Sequence, residues 1–154
     1  MEPPVTKPKT IKLDSEQDTR DLAAFIAPLL RPGDVICLYG DLGSGKTFFA
    51  RALAAELGIT DLVDSPSFML FKEYSGGKFP FYHLDLYRLK NEAEFLDLGI
   101  TDLIDSGVTL IEWPELAARY LPDRIMNLSL RFVFEGRQRS VEIIAKGRFS
   151  DYFV

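Results

Sequence analysis

Residues 40–47 read Gly-Asp-Leu-Gly-Ser-Gly-Lys-Thr, which is the G-x-x-x-x-G-K-T pattern of a loop that binds nucleotide phosphates. The five residues before it, Val35–Tyr39, are all apolar, so they predict a strand buried on both faces of a parallel sheet. Apolar residues at helical spacing follow the loop as far as Gly58, which predicts a helix ended by a left-handed glycine. This order of strand, loop and helix predicts a site for a nucleoside triphosphate but leaves the reaction open.

Each residue type in the loop has a physical role in holding phosphate. Its glycines allow a tight turn that points backbone N–H groups at an anion, and the helix beginning near Lys46 adds the positive end of its dipole. Lys46 supplies a charge for the β- and γ-phosphates, and Thr47 supplies a hydroxyl for Mg²⁺. The predicted contacts to the nucleotide, which the resemblance described below implies to be ATP or ADP, are Asp41, Leu42, Gly43, Ser44, Gly45, Lys46 and Thr47.

Length and composition predict one globular domain. The chain has 154 residues, of which 47% are hydrophobic, so it can bury a sizeable core. We expect a flexible, proline-containing leader at residues 1–9 and a single domain over residues 10–154. A lone cysteine, Cys37, argues against disulfides and multi-cysteine metal sites. The amino terminus has no apolar signal core and no apolar run reaches about 18 residues, so the sequence predicts a cytoplasmic protein without membrane contact.

The charge distribution disfavours a dedicated nucleic-acid binder. The net charge is −5, whereas phosphate backbones are bound by clustered lysine and arginine. The charge is uneven, at −8 over residues 1–115 and +3 over residues 116–154. This basic segment fits a position near a nucleotide, an RNA or an acidic partner, and fits a solvated hairpin face equally well.

The rest of the pattern predicts an α/β domain with a mixed, mostly parallel central sheet and antiparallel hairpins. Aromatic runs on either side of residues 75–78 predict one hairpin, and alternating residues at 125–135 and 138–145 predict another. A strand is expected at residues 10–13, short helices broken at Gly99 at 91–105, and a helix at 114–121. Another helix, capped by Asp14 or Ser15, has a predicted buried stripe of Leu22, Ala23, Phe25, Ile26, Leu29 and Leu30.

Two acidic residues end predicted strands and are candidates for the chemistry. Glu112 ends an apolar strand that should lie beside the phosphate loop, which suits a place in the Mg²⁺ shell. Asp85 ends an aromatic strand and suits orienting water or completing that shell. His83 lies on the same side of its strand as Asp85, and a hydrogen-bonded structural histidine is favoured because no second histidine exists to share a metal. Trp113 follows Glu112 and is a candidate roof for the site or contact for a partner.

Four motifs in this order and spacing resemble the bacterial TsaE (YjeE) family, the ATPase of tRNA threonylcarbamoyladenosine biosynthesis. They are GDLGSGKT at 40–47, SPSFML at 65–70, HLDLYRL at 83–89 and EWPE at 112–115. The resemblance covers roughly residues 10–145. This sequence departs from the family pattern at Ser44, where the family has alanine, and at Ser67, where it has threonine.

The resemblance implies a three-layer P-loop NTPase-like fold with weak, Mg²⁺-dependent ATP hydrolysis. It also implies two partners, TsaB and TsaD, which transfer the threonylcarbamoyl group to the adenosine beside the anticodon, so contact with tRNA would be indirect. By resemblance, Lys46 binds phosphate and is catalytic together with Asp85, and Thr47 and Glu112 hold Mg²⁺. A hairpin-turn arginine near the nucleotide falls on Arg137. Independently of the resemblance, Ser65-Pro66-Ser67 at the start of a predicted strand suits either a mobile segment that senses a γ-phosphate or a plain proline turn before an edge strand.

Two other classes of function stay open as alternatives. A small-molecule or nucleotide kinase would need an acceptor pocket and usually an arginine-rich lid, yet the chain between the loop and Glu112 contains only Arg51 and Arg88. A nucleotide-dependent binding switch of the GTPase kind would need Asn-Lys-x-Asp and Asp-x-x-Gly motifs, and neither is present.

Overall fold

The strand that feeds the phosphate loop lies in the middle of a seven-stranded sheet. A computed structural model describes residues 7–61, 63, 70–115, 117 and 126–153. In sequence order the strands are β1 (Lys9–Lys12), β2 (Val35–Tyr39), β3 (Phe71–Tyr74), β4 (Phe81–Asp85), β5 (Val108–Glu112), β6 (Met126–Glu135) and β7 (Gln138–Ala145). Their order across the sheet is β1-β7-β6-β2-β5-β4-β3.

The sheet is parallel in its centre and antiparallel at both flanks. Strand β2 pairs in parallel with β5 and β6, and β5 pairs in parallel with β4. The pairs β3–β4 and β6–β7 are the two predicted antiparallel hairpins, and β1 joins the outer side of β7. Because β2, β4 and β5 run in the same direction, their carboxyl ends meet at one edge of the sheet, where the phosphate loop begins.

Helices cover both faces of this sheet. The helices are α1 (Glu16–Ile26), α2 (Lys46–Glu56), α3 (Glu92–Asp97) and α4 (Ile100–Leu103), with short 3-10 turns at Ala27–Leu29, Ile104–Ser106 and Gly147–Tyr152. Ile36 and Leu38 of β2 pack in the core cluster that contains α1 and α2. Val35 and Cys37 pack on the opposite side with residues of α3 and α4. The predicted three-layer α/β architecture is therefore confirmed.

Local signals in the sequence explain where several elements begin and end. The Oγ of Ser15 accepts a hydrogen bond from the backbone N–H of Asp18 and caps α1. Gly58 has a φ of 86° just after α2, as the sequence predicts, and Gly99 has a φ of 68° between α3 and α4. Strand β1 begins at Lys9, so the last residue of the predicted leader belongs to the sheet.

One predicted core residue is wrong. Phe25 was expected in the buried stripe of α1, but half of its surface is exposed, at 50%. Leu22 and Ile26 occupy the inward face of α1, and Phe25 points away from that face because successive helical residues are about 100° apart. Its ring instead lies edge-on to Phe153, with the ring centroids 5.6 Å apart.

Two other sequence predictions fall outside the described residues, the segment at 65–67 and most of the helix at 114–121. In the described part of the chain, no helix is both long and apolar enough to cross a membrane. Cys37 is fully buried, and this burial raises the pKa of its thiol to about 12.

Candidate nucleotide-binding site

The loop between β2 and α2 has the backbone geometry of a phosphate cradle. Gly40, Gly43 and Gly45 have φ values of 140°, 78° and 114°, a region that glycine enters easily. Gly45 caps α2 without any side-chain hydrogen bond, so the N–H groups of the first helical turn are directed toward the loop. The Oγ of Ser44 is buried and has no hydrogen-bond partner among the described residues. These orphan donors fit an anion at the start of α2.

The side chain of Lys46 lies inside this site. Lys46 is only 4% exposed, and its Nζ donates a hydrogen bond to the carbonyl oxygen of Gly40 at 2.6 Å. The same nitrogen lies 3.6 Å from the centroid of the Trp113 ring, which is a cation–π contact. Burial lowers the pKa of Lys46, and nearby carboxylates oppose that shift, in decreasing order Glu112, Asp85, Glu115 and Asp41. The amine is therefore surrounded by acidic groups that electrostatically favour its charged form.

The two candidate acids lie next to each other on neighbouring strands. Asp85 at the end of β4 is in register with Glu112 at the end of β5, and Glu112 is also in register with Leu38 of β2. Glu112 is only 2% exposed. The Oδ1 of Asp85 accepts a hydrogen bond from the backbone N–H of Tyr87 at 3.0 Å. The fold thus brings both carboxylates to the sheet edge from which the phosphate loop starts.

His83 makes a contact that the sequence did not reveal. Its Nε2 lies 2.7 Å from the Oε2 of Glu112, and the imidazole has no exposed surface. The sequence predicted a hydrogen-bonded histidine but placed it only relative to Asp85. The contact with Glu112 depends on the pairing register of β4 and β5, and the only signal for it was a histidine two residues before one strand-end acid.

Trp113 lies over the site in an unusual backbone conformation. Its φ is 56°, a left-handed value that is rare for a bulky residue and is held by the surrounding structure. Its ring contacts Tyr87, with centroids 4.9 Å apart, as well as the amine of Lys46. The Trp113 ring therefore lies against the amine of Lys46 and shields it on one side.

Two clefts flank the phosphate loop. A cleft of about 380 Å³ lies between residues 40–44 and 131–135, and one of about 410 Å³ lies between the start of α1 and Ser44, Gly45 and Phe48. Arg131 lines the first cleft and Arg139 lines the second. Arg137, the arginine predicted near the nucleotide, is exposed in the turn between β6 and β7 and lines neither cleft.

The oxygen groups beside the loop fit Mg²⁺. This ion prefers oxygen ligands and in nucleotide sites is usually held by one or two carboxylates together with phosphates and water. Thr47 offers a hydroxyl in the first turn of α2, and Glu112 and Asp85 offer carboxylates at the adjoining strand ends. Within the described ranges, no group of three or more His, Cys, Asp or Glu side chains is arranged to hold a metal.

Comparisons with known proteins match this chain over most of its length. A family profile described as "Threonylcarbamoyl adenosine biosynthesis protein TsaE" matches residues 13–141. The TsaE protein of Bacillus subtilis is 41% identical over 116 residues, covering 75% of this chain and 72% of that protein. The TsaE protein of Treponema pallidum is 38% identical over 125 residues, covering 80% and 92%. The crystal structure of Bacillus subtilis YdiB superposes with a TM-score of 0.74 at 32% identity, covering 96% of this chain and 91% of that one.

Proposed function

Because the chain belongs to the TsaE family of tRNA threonylcarbamoyladenosine biosynthesis proteins, we propose that it is a Mg²⁺-dependent ATPase that acts in forming this modified nucleoside. The observation that carries the proposal is the placement of Asp85 and Glu112 in register at the sheet edge beside the phosphate loop. The buried Lys46, whose charged form these acids favour, lies in the same site. A phosphate loop next to two carboxylates can position phosphates, a metal ion and an attacking water for hydrolysis.

Each residue has a defined task in this proposal. The N–H groups of the loop and of the first turn of α2 bind the phosphates, and Lys46 exchanges the Gly40 carbonyl for a β- or γ-phosphate oxygen. Thr47 and Glu112 hold Mg²⁺, which when bound neutralises charge on the phosphates. Asp85 orients the attacking water. Arg137 stays a candidate contact for the nucleotide, to be compared with Arg131 and Arg139, which line the clefts.

Slow hydrolysis by the isolated chain is part of the proposal. Between the loop and Glu112 the sequence contains only Arg51 and Arg88. The Nε of Arg51 donates to the carbonyl oxygen of Val63 at 2.7 Å, so this side chain is already engaged in a hydrogen bond. An arginine supplied by another protein raises turnover by about 10³–10⁵ in related hydrolases. We therefore propose activation by TsaB- and TsaD-like partners, with tRNA reached through that complex.

The test compares steady-state ATP hydrolysis by the chain alone, with TsaB- and TsaD-like proteins, and with these proteins and tRNA. We expect slow turnover alone and a marked increase with the partners, because activation comes from outside the chain. The Lys46→Ala variant serves as a control for contaminating ATPases. Fast turnover by the chain alone, unchanged by either addition, would contradict the proposal and favour a self-sufficient enzyme.

A further inference from the structure

We propose that His83 is a positioning residue that holds the Glu112 carboxylate in place for the cation of the nucleotide site. This inference rests on the proposed function, in which Glu112 is a ligand of Mg²⁺. It assigns a role to the chain's only histidine, which neither the phosphate loop nor the two strand-end acids explain.

The hydrogen bond between the two side chains is short and fully enclosed. The Nε2 of His83 and the Oε2 of Glu112 are 2.7 Å apart. His83 has no exposed surface, and Glu112 is 2% exposed. A carboxylate at this depth needs hydrogen-bond partners, because water does not reach it freely. Both residues belong to strands whose pairing is fixed along their whole length, so the donor and the acceptor are held by the sheet itself.

The tautomer of the ring follows from its surroundings. The oxygen of an ionised carboxylate only accepts hydrogen bonds, so the proton must lie on Nε2. The Nδ1 atom is buried and has no hydrogen-bond partner in the described part of the chain, so the contact through Nε2 is the one that fixes the ring. The ring orients Glu112 through Oε2 and leaves Oε1 for the cation.

Loss of the imidazole would remove the hydrogen bond that orients Glu112 toward the cation site. A buried carboxylate without that donor would no longer be held in one orientation. We therefore expect that loss of the His83 donor weakens Mg²⁺ binding about 10- to 100-fold, the usual effect of removing such an outer partner. Binding of nucleotide without Mg²⁺ should change little.

The test measures Mg²⁺ affinity rather than activity alone. Trp113 fluorescence would follow nucleotide binding in EDTA and then during titration with Mg²⁺, in the full chain and in His83→Leu and His83→Gln. The leucine lacks a donor, whereas the glutamine amide can donate in place of Nε2 and should restore much of the Mg²⁺ affinity. Phe81→Leu is the matched control, because Phe81 lies two residues earlier on β4, is equally buried and has its ring centroid 6.3 Å from that of His83.

A double-mutant cycle with Glu112→Gln separates this inference from the proposed function. If His83 acts through Glu112, His83→Leu should lose its effect on Mg²⁺ affinity in the Glu112→Gln background. If Glu112→Gln weakens Mg²⁺ binding and His83→Leu does not, only the positioning role of His83 is overturned. If Glu112→Gln leaves Mg²⁺ affinity unchanged, Glu112 is not a ligand of Mg²⁺, and both the proposed site and this inference are overturned.

Nuclear magnetic resonance gives a second readout in the unmodified protein. Since the chain has one histidine, the two imidazole ¹⁵N signals need no assignment between residues. We expect the Nε2–H tautomer with a protected Hε2 proton, and a shift of that proton in Glu112→Gln. An Nδ1–H tautomer, or an Hε2 signal that Glu112→Gln leaves unchanged, would overturn the proposal even if the variants fold poorly.

Discussion

At the scale of single residues, the site depends on one buried amine and the acids around it. The amine of Lys46 is buried and contacts the Gly40 carbonyl and the Trp113 ring in place of water. Nearby carboxylates act on its charge. Because burial lowers the pKa of Lys46 while those acids oppose the shift, the residue is poised to accept an anion that completes its charge neutralisation. The phosphate group of a nucleotide is such an anion.

Replacing Lys46 by alanine should therefore remove useful affinity for ATP and ADP. A charge-assisted hydrogen bond contributes about 1.5–3 kcal/mol, which corresponds to at least a tenfold loss in affinity. Titration calorimetry measures the loss, and Lys72→Ala on exposed β3 is the matched control. Unchanged affinity in Lys46→Ala would exclude a phosphate contact by this side chain.

Glu112→Gln and Asp85→Asn should keep nucleotide binding and lose hydrolysis. Both changes preserve volume but remove negative charge, which matters more where charge develops in the transition state than in the bound ground state. Steady-state ATPase rates with partners present, beside nucleotide affinities, give the comparison, and Glu73→Gln on β3 is an exposed control. Parent-like turnover in either variant would assign that acid a different role.

The site residues differ in how far the sequence could predict them. The loop, Asp85 and Glu112 could be predicted from the sequence because motif spacing and strand ends are local features. The bond from His83 to Glu112 was not, because it depends on the register between β4 and β5, which the sequence does not specify residue by residue. The same limit applies to the arginines, since only the hairpin geometry shows that Arg131 and Arg139 line the clefts while Arg137 does not.

At the scale of elements, the phosphate loop is held against β6. A Cβ atom on Gly40 would lie 2.7 Å from the carbonyl oxygen of Phe132 and 2.7 Å from the Oγ of Ser44. The first of these atoms belongs to the backbone of a sheet strand, so it cannot move without disturbing the strand pairing. The close approach explains why glycine is needed where β2 gives way to the loop.

Gly40→Ala should accordingly destabilise the fold more than Gly43→Ala. Both positions have positive φ, but a Cβ on Gly43 meets no atom within 4 Å. Gly43→Ala should cost about 1 kcal/mol from backbone strain alone, and Gly40→Ala about 2–3 kcal/mol because the clash adds to it. Urea unfolding of the two variants measures the difference. Equal stabilities would mean that the loop is free to move away from β6.

The elements themselves were predictable to the extent that periodicity is local. Five consecutive apolar residues predicted β2, and the alternation of apolar and polar residues predicted the β6–β7 hairpin. Phe25 was predicted to be buried although it lies off the inward face formed by Leu22 and Ile26, and Phe153, just after the 3-10 turn at Gly147–Tyr152, packs against its ring instead. That contact joins residues far apart in sequence, so no helical pattern could predict it.

At the scale of the whole molecule, an ion pair joins the carboxyl-terminal turn to the approach of the phosphate-loop strand. The Nη1 of Arg148 donates to the Oδ1 of Asp34 at 2.6 Å, Nη2 donates to the Oδ2 of the same residue, and Nη2 also donates to the carbonyl oxygen of Leu29 at 2.6 Å. Asp34 is buried just before β2. A two-pronged guanidinium thus fixes the chain where it enters the central strand.

Arg148→Ala should lower the free energy of unfolding by about 1–3 kcal/mol, because it removes the two charge-assisted hydrogen bonds from the guanidinium to the buried Asp34 carboxylate. Arg148→Lys should recover only part of this, since an ammonium cannot make the paired contact. Thermal and urea unfolding measure the effect, and Asp151→Ala is the control, because Asp151 is an exposed residue of the same turn. A loss no larger than that of the control would show that the ion pair adds nothing to stability.

The sheet order also decides when the site can exist during protein synthesis. Strand β2 leaves the ribosome early, but its two neighbours in the sheet, β5 and β6, are synthesised much later. Strand β1 likewise cannot pair until β7 has been synthesised. A nascent chain that stops before β6 offers the phosphate loop no strand on one side, and lacks the Phe132 backbone that Gly40 packs against. Such long-range pairing must close large loops before any contact is gained, which slows folding. The phosphate loop therefore lacks the strand that supports it until residues 126–135 have emerged from the ribosome.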